Sequence, residues 1–472
     1  MQVCGISFDY HEKPELDPGF VPFGPWRKAY LQEADRPISI GIEREDGKLS
    51  VFHTSLRGEA FREANFRFLE RTVKLLLWCV GGFRVLLSGC GELTEELRRA
   101  YGKDGARFFD ADFMETVYEK PFAIVDCEES SFPAAREEAI RLGGHLDGCR
   151  IGFDAGGSDR KVSAVIDGKS VYSEEVVWFP KLSEDPDYQY QGIVEAFRTA
   201  ASKLPRVDAI GVSSAGVFVN NRTMVSSLFI KVPKERREEV KSVYERAARE
   251  IGDVPIAVAN DGDVTALAGA MSLDTGRVLG IAMGTSEAAG YVNADRRILG
   301  WINELAFAPV DLQEDAPQDE WSGDFGVGCK YLSQDAVIRL AARAGIDLED
   351  TLSPAEKLKE VQRLAESGHE GAREVFRSIG CYLAHTLSLY ATVYDIGTVL
   401  VLGRVSAGIG GDLLMAECRR VLEAEYPELA ATIRVMLPDE KVRRVGQSIA
   451  AASLAAAEHR SGGAAAELRV ES

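Results

Sequence analysis

The chain has 472 residues, 46% of them hydrophobic and 27% charged, an ordinary globular composition at a length that suggests about three domains. Its formal charge of −19, from 55 basic and 74 acidic side chains, argues against nonspecific binding of nucleic acid or of an anionic membrane. The N-terminus shows no basic stretch leading into a long apolar run, no apolar segment is long enough to span a bilayer, and the eight cysteines form no C-x-x-C pair and read as free thiols, so a cytoplasmic location is expected.

Residues 1–37 are rich in Pro, Gly and charge and are expected to wrap irregularly. An α/β pattern begins at Ile38, with strands at 39–42 and 49–53 flanking the hairpin signal Glu45-Asp-Gly-Lys48. An amphipathic helix follows at 59–80, then a strand at 83–87 and a helix at 91–100. Trp26, Trp78 and the apolar run 75–80 read as core. This order resembles faintly that of the next module, so 1–148 forms an N-terminal α/β domain of unknown role that could be a degenerate copy of it. The next module opens with the apolar run 150–153, which reads as a buried strand and delivers Asp154 into the turn Gly156-Gly157-Ser158. Lys161 to Ile166 alternates like a returning strand. Further strands are expected at 170–178 and 207–212, helices at 190–203 and 234–250, and a strand at 255–259. Asn260-Asp261-Gly-Asp263 then opens a small-residue helix. The strand 278–283 ends in Gly284-Thr285-Ser286, residues 329–392 are largely helical, and the strand 398–402 runs into Gly403 to Gly408 before a helix at 412–425. The tail after Ala456 reads as frayed.

Two glycines let a backbone approach a ligand and turn several N–H groups toward one anion. Ser158 adds a hydroxyl, and Asp154 suits a metal ion riding on phosphates. By itself the turn is equally an ordinary hairpin tip. It is neither a P-loop nor a dinucleotide fingerprint, since no Gly-Lys-Ser/Thr and no helix follow the glycines. Three glycine turns, each after an apolar strand, make a stronger case for nucleotide phosphate.

In this order of motifs the chain resembles, over about residues 149–456, the repressor–ORF–kinase (ROK) family of sugar kinases within the actin-like ATPase superfamily. Asp154, Gly156, Gly157, Ser158 and Lys161 match the family's first phosphate motif, with Ser in place of Thr. Gly284, Thr285 and Gly290, with Ser286 between, match the second phosphate loop, and Gly403, Ser406 and Gly408 match the adenosine loop. Asn260-Asp261 match the Asn-Asp at the hinge, where the Asp is the general base, and Glu304 stands where the family has a sugar-binding Glu. The resemblance implies two actin-like (ribonuclease H-like) subdomains around a nucleotide cleft: a small one over 149–258, closed by a helix at 446–457, and a large one over 259–445, with 458–472 as a flexible tail. It implies ATP and Mg²⁺ as cofactors, with Asp154 near the metal, Asp261 as base, and Asn260 and Glu304 toward the acceptor. Asp261 also reads as a plain helix cap or turn residue, and Glu304 as a structural acid.

The departures from the family fall on the acceptor side. Phe307 stands in place of the family's His, Tyr331 in place of a second sugar-binding Glu, and the segment 225–229 lacks the sugar-contacting Asn. Of the zinc-loop cysteines only Cys329 remains, which with Asp324 cannot close a tetrahedral site, so no structural zinc is expected. Phe307 and Tyr331 are expected to stack on a larger or less polar acceptor, and 311–320 to form a solvated acidic loop. The expected activity is ATP-dependent phosphoryl transfer to a hydroxyl of a sugar or sugar-like compound. The alternatives are an actin-like ATPase, or a nucleotide or sugar sensor without kinase activity. Residues 1–148 carry 26 acidic and 19 basic side chains, which speaks against a DNA-binding arm. The expected partners are therefore ATP and a small acceptor, without nucleic acid or membrane, in a possible homodimer.

Overall fold

In a computed structural model, residues 1–137, 142–438 and 440–456 are described, with only the backbone of 440–445. The expected tail at 458–472 and the last residue of the expected closing helix lie outside these. The first part of the chain runs β1 (Gln2–Val3), β2 (Ile6–Ser7), α1 (Phe23–Leu31), β3 (Arg36–Glu43), β4 (Leu49–Leu56), α2 (Arg62–Val80), β5 (Arg84–Ser88), α3 (Leu93–Tyr101), α4 (Phe108–Tyr118) and β6 (Ala123–Asp126). The middle part runs β7 (Cys149–Ala155), β8 (Asp159–Ile166), β9 (Lys169–Val177), α5 (Pro186–Ala201), β10 (Ala209–Ser214), β11 (Val217–Val219), β12 (Arg222–Val225), α6 (Arg237–Lys241), α7 (Val243–Arg249) and β13 (Ile256–Asn260). The last part holds α8 (Asp261–Leu273), β14 (Val278–Met283), β15 (Glu287–Val292), α9 (Gln334–Arg343), α10 (Pro354–Glu366), α11 (Glu370–Tyr390), β16 (Thr398–Leu402), α12 (Gly408–Glu425), α13 (Pro427–Ala430), β17 (Arg434–Met436) and α14 (Glu440–Ala452).

The middle sheet has the order β13-β10-β7-β8-β9, and the last has the order β15-β14-β16-β17. In each, a central strand (β7 or β14) pairs antiparallel with the next strand and parallel with one reached by a crossover (β10 or β16), beyond which lies another parallel strand. The two halves thus share one plan. β7 is buried on both faces, as a strand covered by helices on both sides must be. One cover is α14, which returns across the middle sheet: a methyl on Gly152 would stand 2.1 Å from the Ser448 carbonyl oxygen, and one on Gly211 1.6 Å from that of Ala451. Only bare backbone admits the helix at that distance.

The first sheet has the order β4-β3-β5-β6, but β3 runs antiparallel to β5, where the equivalent pairs in the other two sheets are parallel. The expectation of a degenerate copy therefore fails on strand direction. Nor do the described residues of 1–148 keep a core apart. Trp26, Phe68 and Trp78 share one continuous core with Phe307, Tyr331 and Tyr382 of the last part, whereas Ile151, Phe153, Phe197 and Tyr244 form a separate core in the middle part. The first 22 residues run along α11, α9 and the 310–312 segment: Asp17 pairs with Arg339 and Arg343, and Val21 exchanges backbone and side-chain hydrogen bonds with Asp311 and Leu312.

Candidate functional site

The parallel strands of the middle sheet end in register, with Asp154 opposite Ser213 and Ser214 opposite Asn260. Asp154 accepts a hydrogen bond from Ser213 Oγ at 2.8 Å, and its other oxygen has no hydrogen-bond partner among the described residues. The turn beyond it is held by Trp178, whose indole N–H donates to the Gly156 carbonyl at 2.8 Å while its backbone N–H donates to that of Ser158 at 3.1 Å. Ser158 donates to Asp159, and Lys161, partly exposed, lies 3.5 Å from Asp159 and 3.9 Å from Glu175.

Asn260 is the N-cap of α8. Its side-chain oxygen accepts from Gly262 N at 2.7 Å, and its amide donates to the Gly216 carbonyl at 2.8 Å, which ties β13 and α8 to the β10–β11 turn. Asp261 is therefore the first helical residue rather than the cap. The helix terminus favours its charged form, but burial outweighs both the Gly262 N–H and the charge of Lys181, and the carboxyl sits above the ordinary aspartate range. Burial also pushes Asp154 up to about 6, against the Ser213 hydrogen bond and with the Asp261 charge adding to the rise. Glu304 is pushed to about 7 by burial and by the same charge. The structure thus brings Asp154 and Glu304 each within electrostatic reach of Asp261. A cavity of about 70 Å³ beside Asp261 is lined by small side chains, among them Thr265, Gly280, Ala282 and Ala288, and by Leu402.

The turns of the last sheet lie side by side. Gly403, at a φ of 93°, packs on Met283, and Val405 N donates to the Met283 carbonyl. Gly284, Thr285 and Ser286 form an open turn closed by Gly284 N to the Ser286 carbonyl. Two of the expected loop residues are placed otherwise than the sequence reading had them. Ser406 is 2% exposed and donates to the Gly403 carbonyl, so its hydroxyl closes the turn instead of facing a ligand. Gly290 lies inside β15, where a methyl would meet Asp263 N at 2.2 Å; its bareness serves the packing of α8. Gly408 starts α12 at a φ of 60°, with Glu366 beside it.

On the acceptor side the expected stacking platforms are not free. Phe307 packs between Trp78 and Phe109 of the first part, with ring centroids at 4.4 and 5.6 Å. Tyr331 is fully buried between Phe20 and Tyr382 and donates to Asp311 at 2.5 Å. The acidic segment 311–320 is only partly solvated, since Asp311 and Asp319 are buried and Asp319 accepts from Ser322. Asp324 joins a buried network in which three cations, Arg71, Lys74 and Arg107, meet three carboxylates, Glu70, Asp110 and Asp324. Cys329 lies 3.5 Å from Asp319 with its thiol pushed up by burial. Among the described residues no three His, Cys, Asp or Glu side chains form a metal cage. A magnesium ion that keeps its waters and phosphate ligands needs only one or two carboxylates, and the free oxygen of Asp154 fits that need.

Sequence reasoning missed Ser213, Trp178 and Lys181. Lys181 lies over the glycine turn, where a methyl on Gly157 would be 2.8 Å from its Cε. Trp178 carried a signal, being an aromatic residue at a strand end two positions before a proline; Lys181 carried none.

No family model of sequences matches the chain, and no curated protein does. Solved structures do. A ROK hexokinase from Thermus thermophilus is 20% identical, with a TM-score of 0.51 over 65% of this chain and 97% of that one. A ROK-family transcriptional regulator homologous to the E. coli MLC protein is 17% identical (TM-score 0.49, 65% of this chain and 78% of that one). A ROK-family glucokinase from Streptomyces griseus, in complex with glucose and AMPPNP, is 20% identical (TM-score 0.46, 64% and 98%). Over 65% of its length, the chain therefore shares the fold of the Thermus thermophilus ROK hexokinase.

Proposed function

We propose that the protein is an ATP-dependent phosphotransferase that moves the γ-phosphoryl group to a hydroxyl of a sugar or sugar-like acceptor. The observation that carries this reading is that Asp154, the turn 156–158 and Asp261 stand at the strand ends of the middle sheet, that the charge of Asp261 is felt at both Asp154 and Glu304, and that the turns 284–286 and 403–408 stand at the strand ends of the last sheet. Backbone N–H groups of Gly156, Gly157 and Thr285 cradle phosphate, Gly284 keeps its turn open to them, and Gly403 and Gly408 leave room for the nucleoside. Asp154 would hold, together with the phosphates, a Mg²⁺ ion, which when bound would supply charge neutralisation there. Asp261, in its ionised form, takes the proton of the attacking hydroxyl. That oxygen bonds to the γ-phosphorus as the bond to the β-phosphate oxygen breaks and ADP leaves. Asn260 positions Asp261, and Glu304 orients the acceptor. In this reading the protein works in the cytoplasm on a nucleotide and a small molecule.

The decisive measurement is ADP release with Mg²⁺-ATP across a panel of sugars, amino sugars and polyols. Some acceptor accelerates release, and Asp261→Asn lowers that rate by roughly 10²–10⁴. A panel in which wild type and Asp261→Asn are equal would overturn the reading. One observation favours a second reading, an actin-like ATPase or a nucleotide or sugar sensor: Phe307 and Tyr331 are consumed by the core, which leaves the acceptor side poor in ligands. ADP release that no acceptor changes, or ATP binding without turnover, supports it.

A further inference from the structure

We infer that Lys181 is the cation that contacts the γ-phosphate, an assignment that rests on the nucleotide reading of the cleft. The segment carrying it is fastened to the glycine turn at several points. Trp178, 3% exposed, grips the carbonyls of Gly156 and Ser158, and Gln189, fully buried, donates to the Pro180 carbonyl at 2.8 Å and so fixes the turn of 180–182. Lys181 is thereby laid over the open face of Gly157, where a methyl group would be 2.8 Å from its Cε and 3.1 Å from its Nζ. A residue with a side chain at 157 would displace it.

The charges around the cleft single out the same residue. Lys161, the lysine of the phosphate motif, lies within ion-pair distance of both Asp159 and Glu175. Lys181 has no hydrogen bond and no ion pair among the described residues, and its side chain is exposed. It lies over the turn that would hold phosphate, and its charge is felt at Asp261, the carboxylate that would take the acceptor's proton. A polyanion entering a site that already holds Asp154, Asp159, Asp261 and Glu304 needs an unmatched cation, and an ammonium on a flexible stem supplies it as a point charge. The terminal phosphate is the one that must lie near the base, so the contact belongs to the γ position and distinguishes ATP from ADP.

The test is titration calorimetry of Mg²⁺-AMPPNP and Mg²⁺-ADP on wild type, Lys181→Met and Lys181→Arg. Lys181→Met weakens AMPPNP by roughly 10- to 100-fold, the size of a lost charged hydrogen bond, and ADP by less than about 3-fold. Lys181→Arg restores most of the AMPPNP affinity. Because the side chain is exposed, the melting temperature stays at the wild-type value in both variants. AMPPNP binding that survives Lys181→Met, or equal weakening of both nucleotides, overturns the assignment and leaves the nucleotide reading standing. A wild type that binds neither nucleotide overturns both.

Discussion

At the scale of single residues, Gly284 and Gly290 look alike in the sequence and differ in the fold. A methyl on Gly284 meets nothing closer than the Ser286 carbonyl at 3.8 Å, whereas one on Gly290 strikes Asp263 N and the Gly262 carbonyl at 2.2 Å. Gly290→Ala therefore pushes the first turn of α8, which carries Asp261, away from β15. It should cost about 1–3 kcal/mol in denaturant unfolding. Gly284→Ala should leave unfolding unchanged within about 0.5 kcal/mol while weakening AMPPNP in calorimetry. Equal stability losses for the two would show that Gly290 is not a packing contact. The glycines were legible in the sequence because each follows a short apolar strand, and their differing duties were not, because a neighbour 28 residues away decides them. Ser406 was misread for the same reason: a serine in a glycine turn serves a ligand or its own backbone with equal ease, and here it closes the turn. Asp154 and Asp261 were legible as acids at strand ends. That burial would outweigh the helix terminus at Asp261 depends on what covers it.

At the scale of elements, α2 shows what the sequence withholds. Its amphipathic pattern predicts a helix with one buried face, yet nearly all of it from Phe68 to Val80 is buried. The surplus is charged: Lys74 meets Asp110 of α4 and Asp324, Arg71 meets Glu70 and Asp324, and Glu70 also meets Arg107. The C-terminal end of α2 also receives the Asn303 and Ile302 N–H groups on its Cys79 and Val80 carbonyls, next to Glu304. Removing one member of such a network strands its partners in a medium that solvates them poorly. Lys74→Met should cost about 3–5 kcal/mol, against about 0–1 for Arg62→Ala, whose partners Glu92 and Glu96 are reached at the surface. Chemical denaturation of the two variants checks this, and equal small losses would mean that the network is solvated. The β11–β12 hairpin, by contrast, was readable and overlooked. Val217 to Val225 alternates around Asn220-Asn221, both at positive φ, as a tight hairpin turn requires, and Asn221 then bonds the backbone of β13 on both its polar atoms.

At the scale of the whole molecule, the two actin-like halves could be read from the sequence because the hairpin and crossover of each are continuous in the chain, over 149–214 in the one and 278–402 in the other. The merging of residues 1–126 into the core of the last part could not, since every contact there joins positions hundreds of residues apart and no periodicity records which apolar faces meet. That shared core also buries acids whose titration the molecule must carry as one. Burial pushes Glu287 up to about 8, against its Tyr390 hydrogen bond and with the Glu304 charge adding, and pushes Asp263 and Glu304 to about 7. Between the ordinary carboxylate range and these values the native state holds protons that the unfolded chain has released, so stability falls as pH rises through that interval, by about 1.4 kcal/mol per such proton per pH unit. The carboxylates held low, such as Asp324 among its three cations, titrate below this interval, and the buried His385, whose ordinary value is 6.5, adds no slope above it. From pH 6.5 to 8.5 the melting temperature of the ligand-free protein should therefore drop by several degrees. Glu287→Gln keeps a polar group of the same shape toward Tyr390 and has no proton to lose, so it should flatten the slope. Melting curves of wild type and Glu287→Gln across that range decide the matter. A slope that is flat in the wild type, or unchanged in the variant, would mean that these acids are ionised and paired in the native state.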